Sequence, residues 1–133
     1  MSDPQTLANW LQTELPQRLV TRSWRDSAQR LREELERGVL TLISKSGGDY
    51  ANYPGREAQL GQRKLALVAQ CQLPETADGL AVETAELTFV AEIETVLGRL
   101  PATLGGVTLE EWAQSGQLDQ PYGWVVFSLT WKP

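Results

Sequence analysis

The chain contains no histidine, so it lacks the side chain that most often acts as a base or a metal ligand near neutral pH. This absence excludes a Ser-His-Asp site, a Cys-His site and a histidine metal site. The phosphate loop Gly-x-x-x-x-Gly-Lys-Ser/Thr, the dinucleotide fingerprint Gly-x-Gly-x-x-Gly and the Gly-x-Ser-x-Gly elbow are also missing. We therefore predict a protein that is not an enzyme and that holds neither a cofactor nor a metal.

Cysteine and long apolar runs are scarce as well. The single cysteine, Cys71, falls in an alternating apolar run, where a small buried hydrophobic residue is a better interpretation than a nucleophile. One cysteine allows no disulfide within the chain, which suits a reducing cytoplasm. No apolar run approaches the roughly twenty residues that cross a bilayer, and residues 1–5 show no secretory pattern. We expect neither secretion by a signal peptide nor a membrane span.

The charge is unevenly distributed along the 133 residues, a length that fits one domain covering residues 1–133. The net charge of −5 argues against nucleic acid as the main partner, because phosphate contacts need clustered Lys and Arg. Residues 1–66 hold ten basic and eight acidic side chains, whereas residues 67–133 hold two basic and nine acidic ones. The two halves therefore carry net charges of opposite sign.

Six of the nine arginines lie within residues 18–37, and two interpretations of this cluster stay open. One is a solvated amphipathic helix with ion pairs at three- and four-residue spacing. The other is a positive surface that meets the negative second half of a neighbouring copy, head to tail, as in a ring. On the second interpretation Arg22 and Arg25 are candidate contact residues. The six clustered arginines are Arg18, Arg22, Arg25, Arg30, Arg32 and Arg37.

Periodicity in the first third of the chain predicts two helices around a short strand. Asp3-Pro4 is a helix N-cap with proline at the first position, and leucines at helical spacing follow until about Pro16. Residues 18–24 alternate weakly, as in a short strand. A second helix is predicted to open at Asp26 and to end at Gly38. Its narrow apolar stripe consists of Ala28, Leu31 and Leu35.

Residues 39–44 and 64–73 read as two strands of a hairpin, joined by a long connection. Glycines, Asp49, Asn52 and a Pro-Gly pair indicate that residues 45–57 are mostly irregular. Tyr50 and Tyr53 in this connection are candidate contact residues, since tyrosine is enriched at interfaces. The alternative is that one or both cover the hairpin itself.

The second half predicts a long helix over residues 82–100, then a short element, then a strand. Residues 108–111 have the form of a capping box for a short helix that carries Trp112, with an extended conformation of residues 107–118 as the competing possibility. Tyr122–Trp131 alternates as an inner sheet strand, in which Trp124 is the aromatic residue most open to exposure. The expected class is α+β, a single mixed, mostly antiparallel sheet packed by a long helix and shorter helices.

One carboxylate pair keeps an enzymatic alternative open. Glu110 and Glu111, with Asp119, are the carboxylates that a glycosidase-like enzyme or a hard metal ion would use. The competing interpretation is that Glu110 and Glu111 stand in the first turn of the short helix, where acidic residues oppose the helix dipole. We assign no catalytic or metal role on this basis.

The layout as a whole resembles the phage tail terminator or tail-completion proteins, typified by the minor tail protein U of phage lambda and its prophage relatives. The resemblance rests on the capped first helix, the strand pair with its glycine-rich connection, the long helix and the strand Tyr122–Trp131. It implies a structural virion protein that forms a hexameric ring, caps the completed tail tube, stops its polymerisation and offers a surface to the head connector. The implied location is the virion tail, with assembly in the host cytoplasm.

In such rings the hairpin connection points toward the lumen or the tube, so the resemblance implies that residues 45–57 contact the tube protein. Tyr50, Tyr53 and Arg56 are then the expected contact residues. A different class of function stays open beside it: a small adaptor or accessory module of a phage-tail-like or secretion apparatus, monomeric or dimeric and without catalytic activity.

Overall fold

The computed structural model describes residues 3–48 and 61–132, which form three helices around one five-stranded sheet. The α+β class with a mixed sheet, a long helix and shorter helices is thereby confirmed. The elements in chain order are α1 (Pro4–Glu14), β1 (Leu19–Thr21), α2 (Arg32–Arg37), β2 (Val39–Gly48), β3 (Gln62–Gln72), α3 (Gly79–Leu97), β4 (Val107–Gln114) and β5 (Tyr122–Trp131).

The sheet has the strand order β1-β2-β3-β5-β4. β1 runs parallel to β2, and the other three strand pairs are antiparallel. β5 lies between β3 and β4, so its prediction as an inner strand is confirmed. β1 and β4 are the two edge strands.

One face of the sheet carries the core. Leu42, Leu67 and Phe127 stand side by side on β2, β3 and β5, and all three are fully buried. Helices α1 and α3 cover this face through an apolar cluster that includes Leu11 and Phe89. Because successive side chains of a strand point to opposite faces, the residues between them line the other face of the sheet. We call that second face the open face.

The two longest helices are each capped by an aspartate: Asp3, as predicted, and Asp78, which lies before the predicted start of the long helix at residue 82. The Asp3 carboxylate accepts a hydrogen bond from the Thr6 amide at 2.9 Å, and this bond lowers the pKa of Asp3 below its ordinary value. Asp78 accepts from the Ala81 amide at 2.9 Å in the same way at the start of α3. Each aspartate satisfies an amide that the first helical turn leaves without a partner.

The predicted short helix at residues 108–112 is wrong, because this segment belongs to β4. Seven of its residues pair with β5, and a bulge between Leu109 and Glu111 interrupts the register. The pattern Thr108-x-x-Glu111 fits a capping box locally, but a strand partner distant in sequence supplies the backbone hydrogen bonds instead. Glu110 and Glu111 are therefore edge-strand residues and do not occupy a first helical turn.

The predicted second helix over residues 26–38 is interrupted. Ser27–Gln29 forms a single 3-10 turn, Arg30 and Leu31 are extended, and α2 follows. Leu31 is 66% exposed, so of the predicted apolar stripe Leu35 is the buried member. The interruption has a cause outside the segment: Ser27 and Arg30 both hydrogen-bond to Gln70 of β3, which holds the chain against the sheet.

Two strand boundaries also differ from the prediction. β2 continues through Gly47 and Gly48, which the sequence placed in the irregular connection, because both pair with β3. β1 spans three residues where the pattern suggested seven. The remainder of the connection lies outside the described residues.

Candidate functional site

The arginine-rich and the glutamate-rich parts of the chain begin at opposite edges of the sheet, and the arginine-rich part continues from its edge over the open face to Gln70 of β3. Residues 18–37, which contain the six clustered arginines, begin with edge strand β1, and we call this segment the arginine flank. The opposite edge is β4, beside α3, and we call its four carboxylates the glutamate flank. The glutamate flank consists of Glu83 and Glu94 on α3 and of Glu110 and Glu111 on β4.

Two residues of the arginine flank hold the fold together. Arg18 donates to both carboxylate oxygens of Glu92, at 3.0 and 2.6 Å, and its guanidinium lies 4.5 Å from the ring centre of Phe89. Arg37 donates to the main-chain carbonyls of residues 16, 17 and 18 at 2.9–3.1 Å. These bonds join α2 and α3 to the start of β1, so both arginines are structural.

Of the two predicted contact arginines, Arg25 is the better placed. Arg22 is half-buried and donates from Nε to the carbonyl of Leu42 at 2.9 Å, which ties the end of β1 to β2. Arg25 is exposed, and its main-chain carbonyl accepts from the Gln70 side chain at 3.1 Å. Arg32 is also exposed and pairs with Glu36 one turn away at 2.8 Å. The structure thus presents Arg25 and Arg32 to solvent.

The glutamate flank runs along one side of α3 and along the outer strand. Glu83 and Glu94 are eleven residues apart, about three helical turns, so they share a stripe of α3. Glu83 lies on the β4 side, since its carboxylate is 3.5 Å from the amide nitrogen of the Gln117 side chain. Glu110 accepts from the Thr130 hydroxyl at 2.7 Å, and Glu111 is exposed.

Two exposed apolar side chains belong to the same flank. Leu87 is 42% exposed and follows Glu83 by four residues, in the same helical stripe. Trp112 is 39% exposed and pairs with Phe127, so it stands on the helix-bearing face at the outer edge. Apolar residues surrounded by charged ones are the usual anatomy of a protein interface. Leu87 was not among the predicted contact residues, because the apolar periodicity of this helix indicates the side that is buried and not the exposed side.

Neither edge strand of the sheet is well suited to pair with a strand of another molecule. The outward amide of Val20 in β1 donates to the side-chain oxygen of Gln12 at 3.0 Å, so α1 covers this edge. β4 carries a bulge next to Glu110 and Glu111, and bulges and charges are features that oppose edge-to-edge pairing. Both edges are therefore unfavourable for extension of the sheet by a strand of another protein.

The remaining predicted residues fall in two groups. Tyr50, Tyr53 and Arg56 lie outside the described residues. Glu110 and Asp119 hydrogen-bond to different partners, Thr130 and the Trp124 indole. Over residues 3–48 and 61–132, the structure brings together no group of three or more acidic, cysteine or histidine side chains that would hold a metal.

Burial makes the Cys71 thiol a poor nucleophile. The pKa of the Cys71 thiol is raised to about 11, mainly because burial removes the thiol from water and, to a smaller extent, because the carboxylate of Glu86 lies nearby. A thiol that stays protonated near neutral pH reacts slowly, since the thiolate is the reactive form. The thiol is buried, as the sequence predicted.

Comparison with known proteins finds no protein-family model and no curated protein that matches the chain. In the part that the structure describes, no helix has the length and apolar character needed to cross a bilayer. The functional argument therefore rests on the fold and on the two flanks.

Proposed function

We propose that the protein is a structural tail protein of a phage or prophage, a tail terminator that caps the tail tube as a ring. The observation that carries this proposal is the separation of the two flanks: the arginine flank begins at edge strand β1 and crosses the open face as far as Gln70 of β3, whereas the glutamate flank lies at the opposite edge, on β4 and α3. The ring ends polymerisation of the tube and provides the head-joining surface. The layout resemblance described above gives the proposal its biological setting.

A molecule with unlike surfaces on opposite sides associates head to tail. Each copy is rotated relative to the next by the same angle. If repeated rotation brings the last copy back against the first, the assembly is a ring, and otherwise it is a filament. Here the glutamate flank of one copy meets the arginine flank of the next. Leu87 and Trp112 supply the apolar centre of this contact, while Glu110 and Glu111 face Arg25 and Arg32.

A charge-exchange experiment tests the head-to-tail contact. One variant carries Glu110→Lys and Glu111→Lys, and a second carries Arg25→Glu and Arg32→Glu. Each variant alone places like charges against each other at every contact, so we expect it to be monomeric by light scattering after gel filtration. An equimolar mixture restores opposite charges at every contact, and we expect association to return.

A matched control separates this effect from a change in net charge. Glu75 is exposed and lies outside both flanks, so Glu75→Lys should leave association unchanged. Failure of the mixture to associate, with both variants folded by circular dichroism, would refute the contact. A wild-type protein that stays monomeric at high concentration and low salt would favour the adaptor-module alternative.

Capping of the tube is tested separately. Tube protein encoded in the same genome is polymerised with and without this protein, and tube length is measured by electron microscopy. A terminator shortens the tubes and appears as a ring at one end. Alanine at Tyr50, Tyr53 or Arg56 is expected to weaken capping without preventing ring formation, and unchanged capping would remove these residues from the contact.

A further inference from the structure

The open face of the sheet contains an apolar groove whose floor lies outside both flanks and whose rim includes residues 24 and 26–28 of the arginine flank. Its volume is about 610 Å³. The floor spans three neighbouring strands and consists of Ile43 on β2, Ala66 and Val68 on β3, and Val126 on β5. The helices α1 and α3 lie against the opposite face, so this floor belongs to a second surface.

The two ends of the groove carry opposite charges. Asp26 and Asp119 lie at the end marked by Gln70, since Gln70 bonds to Ser27 and pairs with Trp124. Lys45 lies at the other end, next to Ser44, which pairs with Leu65. Five residues of β3 separate the two ends, which corresponds to about 17 Å at the rise of a strand.

The acidic end is also aromatic. Trp24, Tyr122 and Trp124 line it, and Trp24 is 46% exposed. An aromatic face next to a carboxylate attracts a Lys or Arg side chain through both cation–π and charge interactions. Asp26 makes no capping hydrogen bond to the turn that follows it. The carboxylate of Asp119 accepts one hydrogen bond, from the Trp124 indole at 2.9 Å, which uses part of its acceptor capacity.

We propose that this groove binds an amphipathic helix of another protein. Three strands give a floor about 10 Å wide, which matches the diameter of one helix. A length of about 17 Å corresponds to about three helical turns. An apolar sheet face is commonly covered by a helix whose apolar stripe packs on it.

Charge complementarity fixes the character and the direction of the helix. Its first turn carries an acidic residue that meets Lys45, and its last turn carries a Lys or Arg that meets Asp26 and Asp119. This distribution is also the one that the helix dipole favours. The groove shares Trp24 and Asp26 with the arginine flank, but its apolar floor lies outside both flanks and it does not include Arg25 or Arg32, so this binding goes beyond the proposed ring contact.

The experiment uses a capped synthetic peptide of about fourteen residues, long enough for partial helicity. It has leucines at three- and four-residue spacing, two glutamates in its first turn and two lysines in its last. Binding to the full chain is followed by the indole N–H signals of the five tryptophans in NMR spectra, assigned with Trp→Phe variants. We expect the signals of Trp24 and Trp124 to shift on titration and that of Trp112 to stay.

Charge variants of the protein test the direction of binding. Asp26→Lys and Lys45→Glu are each expected to raise the dissociation constant about five-fold or more, because each places like charges together. A peptide with glutamine in place of its lysines should be insensitive to Asp26→Lys. The variant with Glu110→Lys and Glu111→Lys should bind the peptide like the wild type, which separates this result from the ring contact.

Three outcomes would overturn the proposal. One is the absence of any tryptophan shift at millimolar peptide, and another is binding that Asp26→Lys and Lys45→Glu leave unchanged. The third is a change in the oligomeric state on Trp24→Ala, which would assign the groove to a second copy of this chain. Thermal melting of each variant confirms that it is folded.

Discussion

Glu86 of α3 accepts a hydrogen bond from the hydroxyl of Ser115, although Glu86 is fully buried between its helix and the sheet. The same carboxylate accepts from the Trp124 amide at 2.9 Å and from the side chain of Gln114 at 3.2 Å. Three donors surround this buried acceptor, so α3 is held to the end of β4 and to the start of β5. Because the glutamate flank is divided between α3 and β4, Glu86 fixes the relative position of its two parts.

Replacing Glu86 with alanine should strongly destabilise the fold. The amide of Trp124 and the hydroxyl of Ser115 would lose their acceptor, and we expect a loss of about 3 kcal/mol in the free energy of unfolding. Urea unfolding measures this value. Glu94→Ala, at an exposed position of the same helix, is the matched control and should change stability by less than about 0.5 kcal/mol. Equal effects of the two substitutions would contradict the assigned role of Glu86.

A methyl group at Gly123 would be crowded by its neighbours. A Cβ atom there would lie 3.0 Å from both Cys71 Sγ and Val82 Cγ1, between β5 and α3. We expect Gly123→Ala to cost about 1–3 kcal/mol through overpacking. Gly48→Ala serves as the control, since among the described residues, apart from its chain neighbours, no atom lies within 4 Å of a Cβ built there. Similar unfolding midpoints for the two variants would show that the core at Gly123 can relax.

The Cys71 thiol predicts a loss of stability at alkaline pH. Burial raises the pKa of Cys71 from its ordinary value of 9.0 to about 11 in the folded protein. Below pH 9 both states keep the thiol protonated, and between pH 9 and 11 only the unfolded chain loses this proton. Stability therefore falls as pH rises through this window.

Comparison with Cys71→Ala isolates this contribution from tyrosine and lysine titration. At about pH 8 the wild type should be more stable, because the sulfur packs in the core. The difference in free energy of unfolding should shrink by at most about 2 kcal/mol toward pH 10.5. A difference that does not depend on pH would mean that the thiol ionises alike in both states.

Gln70 fastens the arginine flank to the open face. Its amide nitrogen donates to the Arg25 carbonyl at 3.1 Å and to the Ser27 hydroxyl at 3.2 Å, and its oxygen accepts from Arg30. We expect Gln70→Leu to cost about 2 kcal/mol and to speed hydrogen exchange in residues 25–30. Gln72→Leu, two residues along the same strand, should leave that exchange unchanged. Unaltered exchange in Gln70→Leu would show that other contacts hold the segment.

Strands with strong alternation could be predicted from the sequence alone. In β5 the residues Val125, Phe127, Leu129 and Trp131 alternate with less apolar ones, and all four are buried. β4 was ambiguous because its Thr108-x-x-Glu111 pattern also fits a helix start. The pairing with β5, which is distant in sequence, decides its conformation. Likewise, the hydrogen bonds of Gln70 explain why residues 26–37 do not form one helix.

For the candidate surfaces too, some features could be predicted from the sequence and others depend on the fold. The charge difference between the two halves is a property of composition, so the sequence shows it directly. Its arrangement in space depends on the strand order, which no local pattern determines. Leu87 was not identified because its exposure depends on which side of α3 faces the sheet. Trp24 and Trp124 meet in one groove only because residues 23–30 cross the open face.

The proposed function requires that copies of this chain associate head to tail through the two flanks. Light scattering after gel filtration measures it most directly, on the wild type and on Trp112→Ala at low and high salt. We expect a closed assembly of several copies at low salt, weakened at high salt and abolished by Trp112→Ala. A wild-type protein that remains monomeric at low salt and high concentration would contradict it.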